Sequence, residues 1–404
     1  MKIILFDPLV GGHHIEYASF IIRYLVEQGD EVVFITWKPD KSVEKLREMR
    51  AIVKYVVKNP EARFGGNLAQ RSLQMLQGMK YCFNFADTWQ ADIVHHLYLE
   101  RSEFLLYLQL LKKQVVSWKL FATLFWPYFI HNKSYEKVGV FKRFYHSLNR
   151  WALGQLLKKG RLNGLFVHTK RIRDKLLKLY DDDSLQQNIF VVPDPIEPLP
   201  KISQEDARDR LELPQRKPII LFFGGLRWDK GPDILLKTLS LIEDEVYTVI
   251  AGKPVEICET NVKQYKQSLK KPEYLITCLG HIPDEDVANY FLAADAVVLP
   301  YRQAFKGTSG ILQHAAAAGK PVIVSDVGEV GPIVRENKLG IIVEPESPKS
   351  LAEGIKEFLT QPMEWREQIK SHALQYANAN HWRKMASGVR KVYLFKIKEC
   401  NKYD

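Results

Sequence analysis

The sequence predicts an α/β protein made of two doubly wound domains in series. Three observations lead there. Short apolar, β-rich runs alternate with segments of helical periodicity, which is the mark of βαβ units and parallel sheets. That alternation breaks once, at a proline-rich stretch near the middle of the chain, and then restarts. The length of 404 residues suits two domains, and 46% hydrophobic with 26% charged residues is the balance of a folded globular chain. Disordered, collagenous and coiled-coil classes are thereby excluded.

The first domain opens with KIILFDP (2–8), then Gly11-Gly12, then apolar positions Tyr17, Phe20, Ile21 and Leu25 at helical spacing. This reads as strand, glycine turn, helix. Further apolar runs are EVVFITW (31–37), AIVKYVV (51–57), DIVHHL (92–97) and LFVHT (165–169), with one more strand in VVSWKLFATLFWPYFIH (115–131). A linker is expected over 190–218, where VVPDPIEPLPKIS carries four prolines in thirteen residues and a short charged helix, 204–213, leads into Pro214. The second domain then supplies six runs: IILFFGG (219–225), YTVIAG (247–252), YLITCLG (274–280), DAVVLPY (295–301), KPVIVSD (320–326) and GIIVEP (340–345). Helices are expected between them, among them 231–242 and 284–294, and the tail from 363 onward reads as helices without strands.

The four cysteines, Cys82, Cys258, Cys278 and Cys400, are widely spaced, so neither a zinc knuckle nor a disulfide framework is indicated and a reducing cytoplasm fits. Asp7 interrupts the first apolar stretch before it reaches the length of a secretory h-region. The longest apolar run, 120–130, is too short to span a bilayer. A net charge of +11 and a pI near 9.2 favour anionic partners: phosphates, nucleic acid or anionic lipid. No RRM, helix-turn-helix or zinc motif accompanies that charge, so nucleic acid is not an expected partner. Between Lys137 and Arg173 stand ten Lys or Arg and no Asp or Glu. Within that stretch Phe141, Phe144, Leu148, Trp151 and Leu156 are read along one helix face, the pattern of a helix lying on an anionic membrane surface or of an ordinary domain helix with a basic solvent side.

Ligands of open α/β sheets sit outside the carboxyl ends of the strands. There, Gly11-Gly12 lets backbone amides approach a phosphate or sugar, or simply makes a tight turn. The segment GGLRWDKG (224–231) sets Arg227 and Lys230 between a strand end and a helix start, a place for a diphosphate. Lys306, Gly307, Thr308, Ser309 and Gly310 precede an alanine-rich helix whose first amides could face an anion, with Thr308 or Ser309 as an N-cap.

In LFDPLVGGHHIEYA, LFFGGLRWDKGPDILLKTL, LGHIPDEDVANYFLAADAVVLPY and GTSGILQHAAAAGKPVIVSDVGEVGPIV, in that order and spacing, the chain resembles the retaining GT-B-fold glycosyltransferases, the family 4 type group that includes glycogen-synthase-like and mannosyltransferase enzymes. The resemblance implies two Rossmann-like domains facing across a cleft, spanning 1–195 and 196–370, with a helical segment 371–404 bracing both. It implies a nucleotide-sugar donor held mainly by the second domain, a glycan or lipid-linked acceptor held mainly by the first, and neither a metal ion nor a cofactor. On it, Lys230 matches the lysine that neutralises the donor diphosphate and Gly11-Gly12 the glycine loop facing it. The family arginine falls on Gly225, leaving Arg227 two residues on as its stand-in. The Glu-x7-Glu signature falls on Lys306 and His314, so ribose contacts pass to Gln313 or His314. The family's Gly-Gly-x-Pro-Glu turn is here GEVGP (328–332). A histidine near the reacting sugar is represented by His131, which equally suits a structural role.

The function expected is therefore transfer of a sugar from a nucleotide donor to a glycan or lipid-linked hydroxyl, in polysaccharide or glycolipid biosynthesis, in the cytoplasm or on the inner membrane face. The absent Glu pair keeps open a second expectation, a catalytically silent relative that binds a nucleotide sugar or scaffolds an assembly complex.

Overall fold

The computed structural model describes residues 1–9, 13–59, 61–62, 64–113, 116–130, 139–242 and 246–400, with the side chains of Phe141, Lys142 and Cys400 left out. The chain forms two units, one of Met1–Pro195 with Trp382–Asp404 and one of Ile196–His381.

Unit 1 contains strands β1 (Lys2–Phe6), β2 (Glu31–Thr36), β3 (Ile52–Tyr55), β4 (Ile93–His96), β5 (Lys119–Leu124), β6 (Gly164–Val167) and β7 (Ile189–Val191). Its helices are α1 (His13–Glu27), α2 (Glu44–Glu48), α3 (Leu68–Trp89), α4 (Glu103–Leu111), α5 (Val140–Lys158) and α6 (Lys170–Tyr180). All neighbouring strands run parallel in the order β3-β2-β1-β4-β5-β6-β7. The seventh strand starts just before the stretch expected to be linker and takes 190–191 from it. Side chains alternate between two buried faces. Ile4, Phe6, Val33, Val94, Leu120 and Leu165 meet α3 to α6, while Ile3, Leu5, Phe34, Ile93, Phe121 and Phe166 meet α1.

Unit 2 contains strands β8 (Ile219–Phe223), β9 (Tyr247–Gly252), β10 (Leu275–Leu279), β11 (Ala296–Leu299), β12 (Val322–Ser325) and β13 (Gly340–Val343). Its helices are α7 (Gln204–Arg210), α8 (Pro232–Leu239), α9 (Glu259–Ser268), α10 (Asp284–Ala293), α11 (Gly310–Ala317), α12 (Val330–Asn337), α13 (Pro348–Thr360) and α14 (Met363–Ala379). The order is β10-β9-β8-β11-β12-β13, again parallel. Ile220, Phe222, Ile250 and Val298 face α8, α9 and α13, and Leu221, Val249, Val297 and Val324 face α7, α10, α11, α12 and α14.

The tail expected as one piece over 371–404 is divided. Residues up to His381 belong to unit 2, where α14 lies on α11 and α12, and α15 (Trp382–Cys400) returns to unit 1. There Trp382, Met385, Val389 and Tyr393 complete the face that carries α1. Trp382 stacks on Phe20 at 5.7 Å, and Tyr393 hydrogen-bonds His95, whose other ring nitrogen meets Thr123 Oγ1 at 2.8 Å.

In each sheet the strand order reverses beside the first strand, between β1 and β4 and between β8 and β11. The crevice at that reversal, on the carboxyl side, is where such sheets bind ligands.

Candidate functional site

In unit 2 the reversal is flanked by the segments after β8 and β11. β8 runs out at Phe223 into Gly224, whose φ of 106° favours glycine. A Cβ added there would lie 3.0 Å from the Lys230 amine, so the lysine is laid against bare backbone. A single helical turn over Trp228–Lys230 ends at Gly231, where φ is 64° and a Cβ would run into the Pro300 carbonyl oxygen at 2.1 Å. α8 then starts with Pro232 at its first position, where a missing N–H costs nothing. Burial, with a smaller contribution from Arg227 and against Asp229, brings the Lys230 pKa down to about 8.

Arg227 is engaged otherwise. Its Nε and Nη2 donate to the two carboxylate oxygens of Asp229 at 3.0 and 2.8 Å, so the planar fork expected to meet a phosphate is closed on a neighbour. The loop owes its shape to a residue the motif reading passed over. Arg302, just after β11, donates to Asp233 at 2.6 Å, to Glu346 at 3.2 Å and to the Trp228 carbonyl at 2.9 Å, and its guanidinium lies 4.8 Å from the Trp228 ring.

The second segment is tied to the same place. Ser309 caps α11, accepting from the Leu312 amide, and its hydroxyl pairs with the buried Tyr301 hydroxyl at 2.9 Å. Thr308 thus stands one residue before the cap. Ile311, in the first turn of α11, would be the next contact of a Cβ on Gly224, at 3.6 Å, so the two segments are neighbours. Gly307 and Gly310 face open space where a Cβ would stand. The Lys306-Gly307 backbone is backed by the 326–329 turn: a Cβ on Gly328 would meet the Lys306 carbonyl carbon at 2.7 Å, and the Glu329 amide donates to Gly307 at 3.4 Å. Gln313 is half-buried on α11. His314 turns inward, stacked on Phe291 with ring centroids 5.0 Å apart, and burial lowers its pKa. Gly225 lies beside Val255, 3.4 Å from where its Cβ would be.

Lys230, Gly225, Lys306, Gly307, Thr308, Ser309, Gly310 and Gln313 are therefore gathered at one end of one sheet. Gly11, Gly12 and His131 lie outside the described residues. Among the described residues no group of three or more His, Cys, Asp or Glu could hold a metal ion.

Unit 1 has a comparable place that the motifs did not reveal. A cavity of about 410 Å³ opens at the carboxyl ends of β1, β4 and β5, lined by Pro8 and Leu9, by Tyr98, Glu100, Arg101 and Ser102, and by Trp126 and Tyr128. Beside it Asp7, buried, accepts a hydrogen bond from His14 Nδ1 at 2.9 Å. Burial alone would lower the His14 pKa, but the charge and hydrogen bond of Asp7 outweigh it and leave it raised. Glu100 holds the β5 loop by accepting the Phe125 and Trp126 amides on Oε1, the latter at 2.8 Å.

On α5 the outward face differs from the one expected. Leu156 belongs to the core with Ala152, Leu153 and Leu157, and Leu148 is half-buried, whereas Val140, Phe144 and Trp151 are 75%, 65% and 46% exposed. Arg143 and Arg150 are exposed as well. No helix among the described residues is long and apolar enough to cross a membrane.

Residues 203–376 match the family described as glycosyl transferases group 1. Over 245 residues the chain is 26% identical to a D-inositol 3-phosphate glycosyltransferase of Xylanimonas cellulosilytica, covering 57% of this chain and 56% of that protein. It spans about half the length of the curated relatives it matches. Among solved structures it is similar to a glycosyltransferase from Rickettsia africae, with a TM-score of 0.73, 19% identity and 98% of each chain covered. It is similar too to an Anabaena protein crystallised with UDP-glucose, with a TM-score of 0.64, 13% identity and 100% of each chain covered.

Proposed function

We propose, from the match of residues 203–376 to the group 1 glycosyl transferases and the GT-B fold, that the protein transfers a sugar from a nucleotide-sugar donor to a hydroxyl of a glycan or lipid-linked acceptor. The observation that carries the reading is the placement of the Lys230 amine against Gly224, next to the first turn of α11, at the reversal point of the second sheet. A departing nucleoside diphosphate gathers negative charge on its oxygens. A fixed ammonium, together with the amides of Gly310 and Ile311 that have no partner within the helix, stabilises that charge without reorganising. The donor's diphosphate binds there, and Arg227, closed on Asp229, adds to the field only when that pair opens. The UDP-glucose held by the Anabaena protein makes uridine donors the first to try. Anomeric retention is part of the proposal by resemblance, and no metal ion is required where Lys230 supplies the charge.

The test is a thermal-shift screen with UDP, GDP, ADP, CMP and their sugar conjugates, because a ligand that binds only the native state raises the melting temperature. One nucleoside diphosphate is expected to give a clear shift, unaffected by EDTA. Lys230→Ala should abolish most of that shift and reduce transfer by about 10²-fold or more. The shift should also weaken above about pH 8, where the lysine loses its proton. Full transfer by the alanine variant would remove Lys230 from the mechanism.

Lys306 and His314 at the places of two carboxylates favour a second reading, a nucleotide-sugar binder without turnover. Slow hydrolysis of the donor without acceptor separates the two, since only an enzyme shows it. For the acceptor, the exposed Val140, Phe144 and Trp151 beside Arg143 and Arg150 support a lipid-borne substrate met at an anionic membrane surface on the cytoplasmic side.

A further inference from the structure

Two successive side chains after β11 hold the two segments gathered at the end of the second sheet. Tyr301 reaches α11, where its hydroxyl pairs with that of Ser309, the cap of the helix, at 2.9 Å. Arg302 reaches the turn Trp228–Lys230 and the start of α8. The turn needs such a tie. None of its three residues is fully buried and Trp228 is exposed, so apolar packing does not fix it. Arg302 does so three times over: its backbone amide donates to the Asp229 carbonyl at 3.0 Å, its Nε donates to the Trp228 carbonyl at 2.9 Å, and its guanidinium lies 4.8 Å from the Trp228 ring.

The other two nitrogens lead away from the turn. Nη2 donates to Asp233, in the first turn of α8, at 2.6 Å, and Nη1 donates to Glu346, after β13, at 3.2 Å. One planar fork thus ties the turn to three further elements. Its charge is matched by those two carboxylates, so it fixes geometry and leaves the field to Lys230. Asp233 depends on it in return, since Oδ1 is shut off from solvent without a hydrogen bond and Lys237 stands 3.9 Å from Oδ2.

We propose that Arg302 is the positioning residue of this site: by locking the 228–230 turn to the end of β11, it sets where the Lys230 amine stands relative to the first turn of α11. That a diphosphate is what the amine meets rests on the transferase reading; the placing of the amine rests on the contacts of Arg302 alone. The pKa of Lys230 reports its position. Burial, with a smaller contribution from Arg227 and against Asp229, holds it at about 8. Those two charges belong to its own segment. Gly224 of β8 and Ile311 of α11 bring none, and burial keeps the Tyr301 hydroxyl protonated. An amine released from that place regains water, and its pKa rises toward the ordinary 10.5.

The test titrates the full chain without ligand. Trace acetylation by acetic anhydride from pH 6 to 11, read peptide by peptide by mass spectrometry, follows Lys230 and Lys320 together. Lys320 precedes β12, at the opposite end of the sheet from Arg302, and burial brings its pKa down to about 8 too, so it reports whether unit 2 is folded. Arg302→Ala is expected to raise the Lys230 pKa by about 1 or more and to leave Lys320 in place. Arg302→Lys, whose single amine cannot span the separate acceptors of the guanidinium, should move Lys230 part of the way. With the nucleoside diphosphate, Arg302→Ala should bind about tenfold more weakly, and its loss of binding at alkaline pH should begin higher than pH 8. In transfer, kcat should fall by about 10²-fold and KM change far less, because the leaving group's charge is greatest in the transition state.

A Lys230 that titrates in Arg302→Ala as it does in the unmodified chain overturns the proposal. If alanine moves both lysines, the lysine variant decides: Lys230 moving alone upholds the proposal, and both or neither moving overturns it. Failure of the unmodified chain to bind any nucleoside diphosphate sinks the transferase reading alone, since the titration needs no ligand. Unmoved titration beside intact nucleotide binding sinks the role of Arg302 alone.

Discussion

At the scale of single residues, unit 1 concentrates buried ionisable groups whose protonation is coupled to folding. Burial holds His95 near pKa 3 and His96 near 4, and raises Glu100 to about 7 and Glu103 to about 8. The histidines bind protons more readily unfolded, so their contribution is lost as pH falls below about 6.5. The glutamates bind protons more readily folded, so theirs is present below about pH 4.5 and lost as pH rises to about 8. The two slopes oppose between those limits, and the stability of unit 1 should be greatest from about pH 4.5 to 6.5 and decline toward pH 8. Glu103 is fully buried with no hydrogen bond to either carboxylate oxygen, so Glu103→Gln should remove much of the decline, a gain on the order of a few kcal/mol at pH 8.5. Melting curves across pH 4 to 9 for both proteins check this; parallel curves would assign the decline to other groups. Residue roles were legible only where spacing carries them. Lys230 stands in a strand–loop–helix pattern that any chain of this class displays. Glu100 shows no such pattern, because its burial comes from amides 25 and 26 positions away in the sequence.

At the scale of elements, α5 shows what periodicity leaves undecided. A helix with apolar residues on more than one side can bury either, and the choice here is made by α4 and the sheet face carrying Leu120 and Leu165, which take Leu153, Leu156 and Leu157. What remains outside is Val140, Phe144 and Trp151 between arginines, and the acid-free composition of 137–173 makes the surrounding surface attractive to anions. Vesicle co-sedimentation tests the consequence. Binding is expected to vesicles with anionic lipid and not to neutral ones. Phe144→Ala with Trp151→Ala, and separately Arg143→Ala with Arg150→Ala, should each weaken it, the latter by about 1 kcal/mol per arginine. Equal sedimentation with neutral and anionic vesicles would dismiss α5 as a membrane contact. The strands were read more securely than the helices because parallel, doubly covered strands are continuous apolar runs, whereas the three-residue β7 lies where prolines dominate the signal.

At the scale of the whole molecule, the division of the chain has a consequence for its stability. The proline-rich stretch announced the change from the first unit to the second, and the boundary falls within it, at Pro195. The return of α15 to unit 1 was not legible, since an amphipathic helix at the end of a chain declares that it has a buried face and not which sheet receives it. Unit 2 is a single continuous segment, Ile196–His381, whereas unit 1 needs two. Ending the chain after His381 would strip Trp382, Met385, Val389 and Tyr393 from the face that α1 also covers, and leave His95 without its tyrosine partner. Replacing one such aromatic by alanine typically costs about 3–5 kcal/mol, so losing the whole helix should leave unit 1 unfolded. Unit 2 loses nothing from its own clusters, and its nucleotide-dependent thermal shift should persist. Calorimetry of the 1–381 chain with and without the nucleoside diphosphate reads both units at once. The expected result is one transition, raised by nucleotide; two transitions at their original temperatures would mean that α15 is not part of the first unit's core.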